Sequence, residues 1–252
     1  MTPLRVRPHL AEILDRTHHV IVTFSVLGNL LPVPGAVAQR IRAMLMESGH
    51  RMSILVSTSD NPFDMLGEAC RLSEELGRRA EQIVHDAELE AADRVPVTAG
   101  AGELLEACQA TGRTVAVYAP HSESAVGRCL HRLGLRSLVG PALGRGFAMR
   151  NPGVIRNLEV MRNPEVMRNP GARTMAPALE AIGVAAEDTA VVCATFAAMS
   201  ATQRAGAHAV GVERIREPRK VLHGGEGRNA VVRSLTALAE AIKECGPPPG
   251  AR

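Results

Sequence analysis

Residues 97–135 read VTAGAGELLEACQATGRTVAVYAPHSESAVGRCLHRLGL. Ala101–Ala110 reads as a helix ended by Gly112, Thr114–Tyr118 (TVAVY) as a strand, and Ser122–Leu133 as a second helix with Gly134 beyond its end. The alternation continues downstream. Leu138-Val139 starts a short third strand, Arg173–Ile182 is a helix closed by Gly183, and Thr189–Ala194 is a strand. Ala197–Ala205 is a helix closed by Gly206, Ala209–Val212 a strand, and Asn229–Ile242 a final amphipathic helix. Strands alternating with helices of this length imply a parallel sheet covered on both faces, a Rossmann-like α/β fold.

Upstream the pattern changes. After 3–17, which reads as a short polar lead-in or a helical turn, His19–Leu27 is a near-continuous β-branched and aromatic run, the signature of a buried strand in a parallel sheet. Gly28, Pro32, Pro34 and Gly35 then break the chain. From Val37 to about Glu90 apolar residues recur at three- and four-residue spacing: Ile41, Met44, Leu45, then Met65, Leu66, Ala69, Leu72 and Leu76. Asp60-Asn61-Pro62 is a helix-start signature, and Ile54-Leu55-Val56 is the one strand-like stretch. The reading is an α/β core made of 18–31 and 98–245, with a small helical insertion at 32–97 after the first strand.

At 252 residues and 46% hydrophobic, the chain can bury one large core, or a core plus an appendage. Twenty-nine Lys and Arg against 26 Asp and Glu leave a net charge of +3, too weak a field to argue for nucleic acid. Four Phe, one Tyr and no Trp provide no base-stacking platform. No run approaches about 18 apolar residues and no signal pattern opens the chain, so a soluble cytoplasmic protein with no membrane partner is expected. The five cysteines form no Cys-x-x-Cys pair, which disfavours a zinc site or a disulfide framework and reads as small buried thiols in a reducing compartment. Lysine occurs only at Lys220 and Lys243, and aspartate only at Asp15, Asp60, Asp64, Asp86, Asp93 and Asp188.

A hexapeptide repeats four times: MRNPGV (149–154), IRNLEV (155–160), MRNPEV (161–166) and MRNPGA (167–172). Six is not a helical period and three of the copies contain proline, so 149–172 reads as an expanded surface loop, or as an Arg-rich docking strip. Gly224-Gly225-Glu226-Gly227 lacks the Lys-Ser/Thr of a phosphate-binding loop and reads as a turn. His18 and His19, adjacent on an extended segment, point to opposite faces and make a poor metal pair.

Strand, helical insertion, then helix–strand repeats resemble the haloacid dehalogenase (HAD) superfamily, in its phosphoglycolate-phosphatase-like branch with a helical cap. The likeness covers roughly 18–243 and is carried by VIVTFSVLGNLL (20–31), by the 97–135 stretch, and by APALEAIGVAAEDTAVVCATFAAMSATQRAGAHAVGV (176–212). The resemblance implies an Asp-x-Asp-Gly after the first strand, holding the nucleophile and a general acid/base; this chain has Thr23-Phe24-Ser25-Val26. It implies a Ser or Thr ending the next strand; this chain has Ala119, then Pro120 and His121. It implies a Lys before a later helix; Arg168 or Asn169 occupies that region. It implies Gly-Asp-x-x-x-Asp for magnesium; this chain has Cys193-Ala194-Thr195-Phe196-Ala197-Ala198.

Phosphoryl transfer on such a scaffold needs a carboxylate nucleophile and a metal that spreads charge over the transferring group. The four carboxylate positions hold Thr23, Ser25, Ala194 and Ala198. The expectation is a HAD hydrolase homologue that has lost the phosphatase machinery, a pseudoenzyme with a binding or regulatory role and no Mg²⁺ or other cofactor. The runner-up is a metal-independent enzyme using Thr23, Ser25 and His121 as catalytic groups under the cap; a residual phosphatase comes last. The candidate pocket gathers Thr23, Ser25, Ala119, His121, Arg168, Asn169, Ala194, Thr195 and Ala198 at the carboxyl ends of the strands. With fewer acids it suits a small anionic metabolite; a protein partner is the alternative. Ser122 opens a helix whose first amides offer an anion site.

Overall fold

The computed structural model describes residues 8–28, 30, 34–52, 54–145, 171–213 and 229–250. Six strands form one all-parallel sheet: β1 His19–Thr23, β2 Thr114–Tyr118, β3 Ala142–Leu143, β4 Thr189–Cys193, β5 His208–Val212 and β6 Asn229–Val232, in the order β3-β2-β1-β4-β5-β6. The helices are α1 Pro8–Arg16, the single turn α2 Phe24–Leu27, α3 Pro34–Glu47, α4 Ile54–Ser57, α5 Pro62–Leu72, α6 Glu74–Ala92, α7 Ala101–Ala110, α8 Glu123–Arg132, α9 Gly171–Ile182, α10 Phe196–Arg204 and α11 Leu235–Cys245.

Alternate side chains of each strand go to opposite faces, and the core divides accordingly. Val20, Val22, Val115, Val117, Val192 and Val210 face α1, α7, α8 and α11. Ile21, Ala116, Tyr118, Val191, Cys193 and Ala209 face α9 and α10. The insertion between β1 and β2 has an apolar cluster of its own, with Ile41, Leu45, Met65, Leu66, Ala80 and Val84 at its centre. Cys108, Cys129 and Cys193 are buried, and all five cysteines are free thiols. Burial pushes the thiols of Cys108 and Cys193 up to about 12. Among the described residues no helix is long and apolar enough to cross a membrane.

The structure corrects five readings. In the described part of the lead-in the helical turn is a nine-residue helix, α1, which seats Leu10, Ile13 and Leu14 on the core. The run at 19–27 is a strand only to Thr23 and turns helical from Phe24; a segment buried on all sides carries no period to separate the two states. Ile54–Ser57 is a helical turn, its Ile54 exposed. The third strand lies at Ala142–Leu143, because 136–138 form a 3₁₀ turn. Asn229–Val232 is the edge strand β6, and the last helix starts only after Ser234, whose side chain accepts a hydrogen bond from the Ala237 amide. The repeat at 149–172 lies outside the described residues except for its last two positions, which open α9. The glycine loop at 224–227 lies outside them entirely.

Candidate functional site

The strand order reverses at β1, which sits between β2 and β4. In open α/β sheets the crevice at such a switch point, outside the carboxyl ends of the strands, is where ligands bind. Thr23 ends β1 opposite Tyr118, which places Ala119 beside it, and Val22 pairs with Val192 of β4, so Ala194 and Thr195 follow on the other side. Ser25 lies in α2 and Ala198 in the first turn of α10. Six of the nine pocket residues expected from the sequence therefore meet at one end of the sheet. Arg168 and Asn169 lie outside the described residues.

Two of the three hydroxyls there, those of Thr23 and Thr195, bond to the backbone. Thr23 Oγ1 donates to the Val192 carbonyl at 3.0 Å. Ser25 Oγ is 3.3 Å from Thr23 Oγ1, and with Thr23's hydrogen committed to the carbonyl, Ser25 is the donor of that pair. Thr195 caps α10, accepting from the Ala198 amide at 3.2 Å. Among the described residues no carboxylate is hydrogen-bonded to the Thr23 hydroxyl to act as its base.

His121, the ninth residue, belongs to a different constellation. It is buried, edge-on to Phe24 with ring centroids 5.9 Å apart, and its Nδ1 lies 2.9 Å from Glu88 Oε1. Glu88 comes from α6 of the insertion and has no exposed surface. An ionised carboxylate only accepts, so Nδ1 carries the proton. Oε1 also accepts from Arg145 Nη1 at 2.8 Å; Oε2 accepts from the Ser122 amide at 2.9 Å and from Arg145 Nη2 at 3.0 Å. Four donors thus fill the four lone-pair directions of one carboxylate.

Arg145 is equally saturated. Nη1 also donates to the Pro120 carbonyl at 2.9 Å, and Nε and Nη2 donate to Glu81 at 2.8–3.0 Å. Its backbone amide donates to the His121 carbonyl at 2.8 Å, and its guanidinium lies 5.6 Å from the Phe63 ring centroid. Gly144 makes this approach possible: a Cβ there would stand 2.6 Å from the His121 carbonyl oxygen. Burial alone would raise the Glu88 pKa, but the bonds from His121 and Arg145 and the charge of Arg145 outweigh it and hold the carboxyl at about 2. Burial likewise opposes the charge on Arg145, and Glu88 with Glu81 more than offsets it.

Sequence reading missed Glu81, Glu88 and Arg145. The one signal was the spacing of the two glutamates: seven residues, two helical turns, on one face of a helix. Their partner lies 57 and 64 positions further along the chain. A separate cavity of about 450 Å³ opens at the opposite end of the sheet, lined by Asp15, Arg16, His18, Glu187, Asp188, His208 and Pro249.

No family model and no curated protein matches the sequence. Solved structures do match. A HAD hydrolase of family IA, variant 3, from Entamoeba histolytica is 13% identical over 91% of this chain and 99% of that one, with a TM-score of 0.59. A HAD family hydrolase from Deinococcus radiodurans, solved with bound phosphate and sodium, is 17% identical over 93% and 99%, with a TM-score of 0.52. A HAD-superfamily hydrolase of subfamily IA, variant 1, from Geobacter sulfurreducens is 15% identical over 90% and 97%, with a TM-score of 0.51. The likeness spans insertion and core together, and it establishes the fold.

Proposed function

We propose that this chain, which has the fold of the HAD-superfamily hydrolases, is a non-catalytic member of that structural class with a binding or regulatory role. The observation that carries this reading is the chemistry of the switch point. The four positions where the resemblance implies carboxylates hold Thr23, Ser25, Ala194 and Ala198, and the Thr23 hydrogen is given to a backbone carbonyl. A hydroxyl without a positioned base is a poor nucleophile. Magnesium takes hard, preferably anionic oxygen ligands, and two hydroxyls and two methyl groups do not fit it. Among the described residues no three His, Cys, Asp or Glu side chains converge in a way that could hold a metal.

The metal-free alternative needs an imidazole on the hydroxyl nucleophile, whereas the Thr23 hydroxyl pairs with the Val192 carbonyl and with Ser25. A small anionic metabolite, bound without metal, or a protein partner is the occupant this reading favours. A reducing, cytoplasmic setting suits its five free thiols.

Thermal-shift titration with inorganic phosphate and small carboxylates, each with and without Mg²⁺, tests the reading. A ligand at about 100 times its Kd adds about 2.7 kcal/mol, several degrees for a chain of this size. Any shift is expected to be the same with and without the metal. A phosphate shift that requires Mg²⁺ and disappears in Thr23→Ala would overturn it.

A further inference from the structure

The coordination of Glu88 is that of a bound ligand. Its carboxylate is gripped by a bidentate guanidinium, an imidazole N–H and the Ser122 amide at the start of α8. Arg145, His121 and Ser122 all lie after β2, in the core, while the carboxylate arrives on α6 of the insertion. The planar, two-oxygen pattern is the one a guanidinium fork recognises in carboxylates. Two of the donors also have ties within the core, and Glu81 of α6 holds Arg145 from the insertion side. Arg145 is tied to the Pro120 and His121 carbonyls, and Ser122 is fixed as the N-cap of α8 by its bond from the Ala125 amide.

We infer that the end of β2 carries a carboxylate receptor, formed by Arg145, His121 and the Ser122 amide, and that Glu88 fills it as an internal ligand. The insertion is thereby fastened to the core by a displaceable anion, and an external carboxylate competes for the same donors when Glu88 is withdrawn. The inference stands whether or not the chain turns over a substrate, because it rests on Glu88 and not on Thr23.

Acetate matches the atoms that Glu88→Ala deletes, the Cγ and the carboxylate. In Glu88→Ala, acetate is expected to raise Tm by several degrees, saturably, above a sodium chloride control of equal ionic strength. Wild type, with its receptor filled, is expected to shift by less than a degree, and so is Glu88→Ala/Arg145→Leu, which lacks the fork. Equal shifts in all three proteins, or none in Glu88→Ala, would overturn the inference. If Glu88→Ala is unfolded with and without acetate, Glu88→Gln decides by hydrogen exchange. It is expected to speed exchange of the amides in α6 and in 119–125 at least tenfold while β4 and β5 keep their protection. Unchanged exchange in α6 and 119–125, or equal acceleration throughout the sheet, would refute it.

Discussion

Arg145 shows how much one side chain can be asked to hold. Two glutamates, one carbonyl and one aromatic face surround it, and its side chain is only 6% exposed. Removing one partner of a buried pair leaves an uncompensated charge, which costs about 3–5 kcal/mol. Arg145→Met is therefore expected to lower unfolding free energy by roughly that amount in urea titrations. Glu88→Leu/Arg145→Met is expected to be less destabilised than Arg145→Met alone, since it removes buried charge of both signs. The same carboxylate sets an acid limb. Its folded pKa of about 2 lies below the ordinary 4.5, so its contribution is complete above about pH 4.5 and is lost as pH falls towards 2. That shift corresponds to roughly 3 kcal/mol. The stability gap between wild type and Glu88→Gln is expected to narrow over that range, and a constant gap would remove Glu88 from acid unfolding.

Among elements, the loop between β2 and α8 and the segment entering Arg145 are built around close backbone contact. Gly144 has no room for a side chain: its Cβ would press on the His121 carbonyl and on the amide and Cγ of Glu123. Gly144→Ala is expected to destabilise by about 1–3 kcal/mol and to loosen α6 as well as β3, because Arg145 follows directly; thermal unfolding with hydrogen exchange checks both. This element also shows where sequence reading stops. The helix 101–110 and strand 114–118 were legible to the residue, because Gly112 and the TVAVY run mark their limits. Ser122 was legible as a helix start with free amides, but the anion that takes its amide was not. Glu88 is 34 positions upstream on another element, and no local period encodes that meeting. β6 was hidden for the opposite reason: Asn229–Val232 runs almost directly into α11, and four residues are too short to break a helical pattern.

At the scale of the molecule, the reversal of strand order at β1 brings Thr23, Ala119 and Ala194 together from positions 75 to 171 residues apart. That gathering was legible because alternating strands and helices fix where strand ends lie, whatever residues occupy them. The cluster of Glu88, Arg145 and His121 at the end of β2 was not, since its carboxylate comes from the insertion and its donors from the core. Turnover of a general aryl phosphate such as p-nitrophenyl phosphate, with and without Mg²⁺, reads the chemistry of this switch point most directly. Wild type is expected to match both Thr23→Ala and the protein-free blank at every metal concentration. Mg²⁺-dependent hydrolysis that is abolished by Thr23→Ala would contradict it.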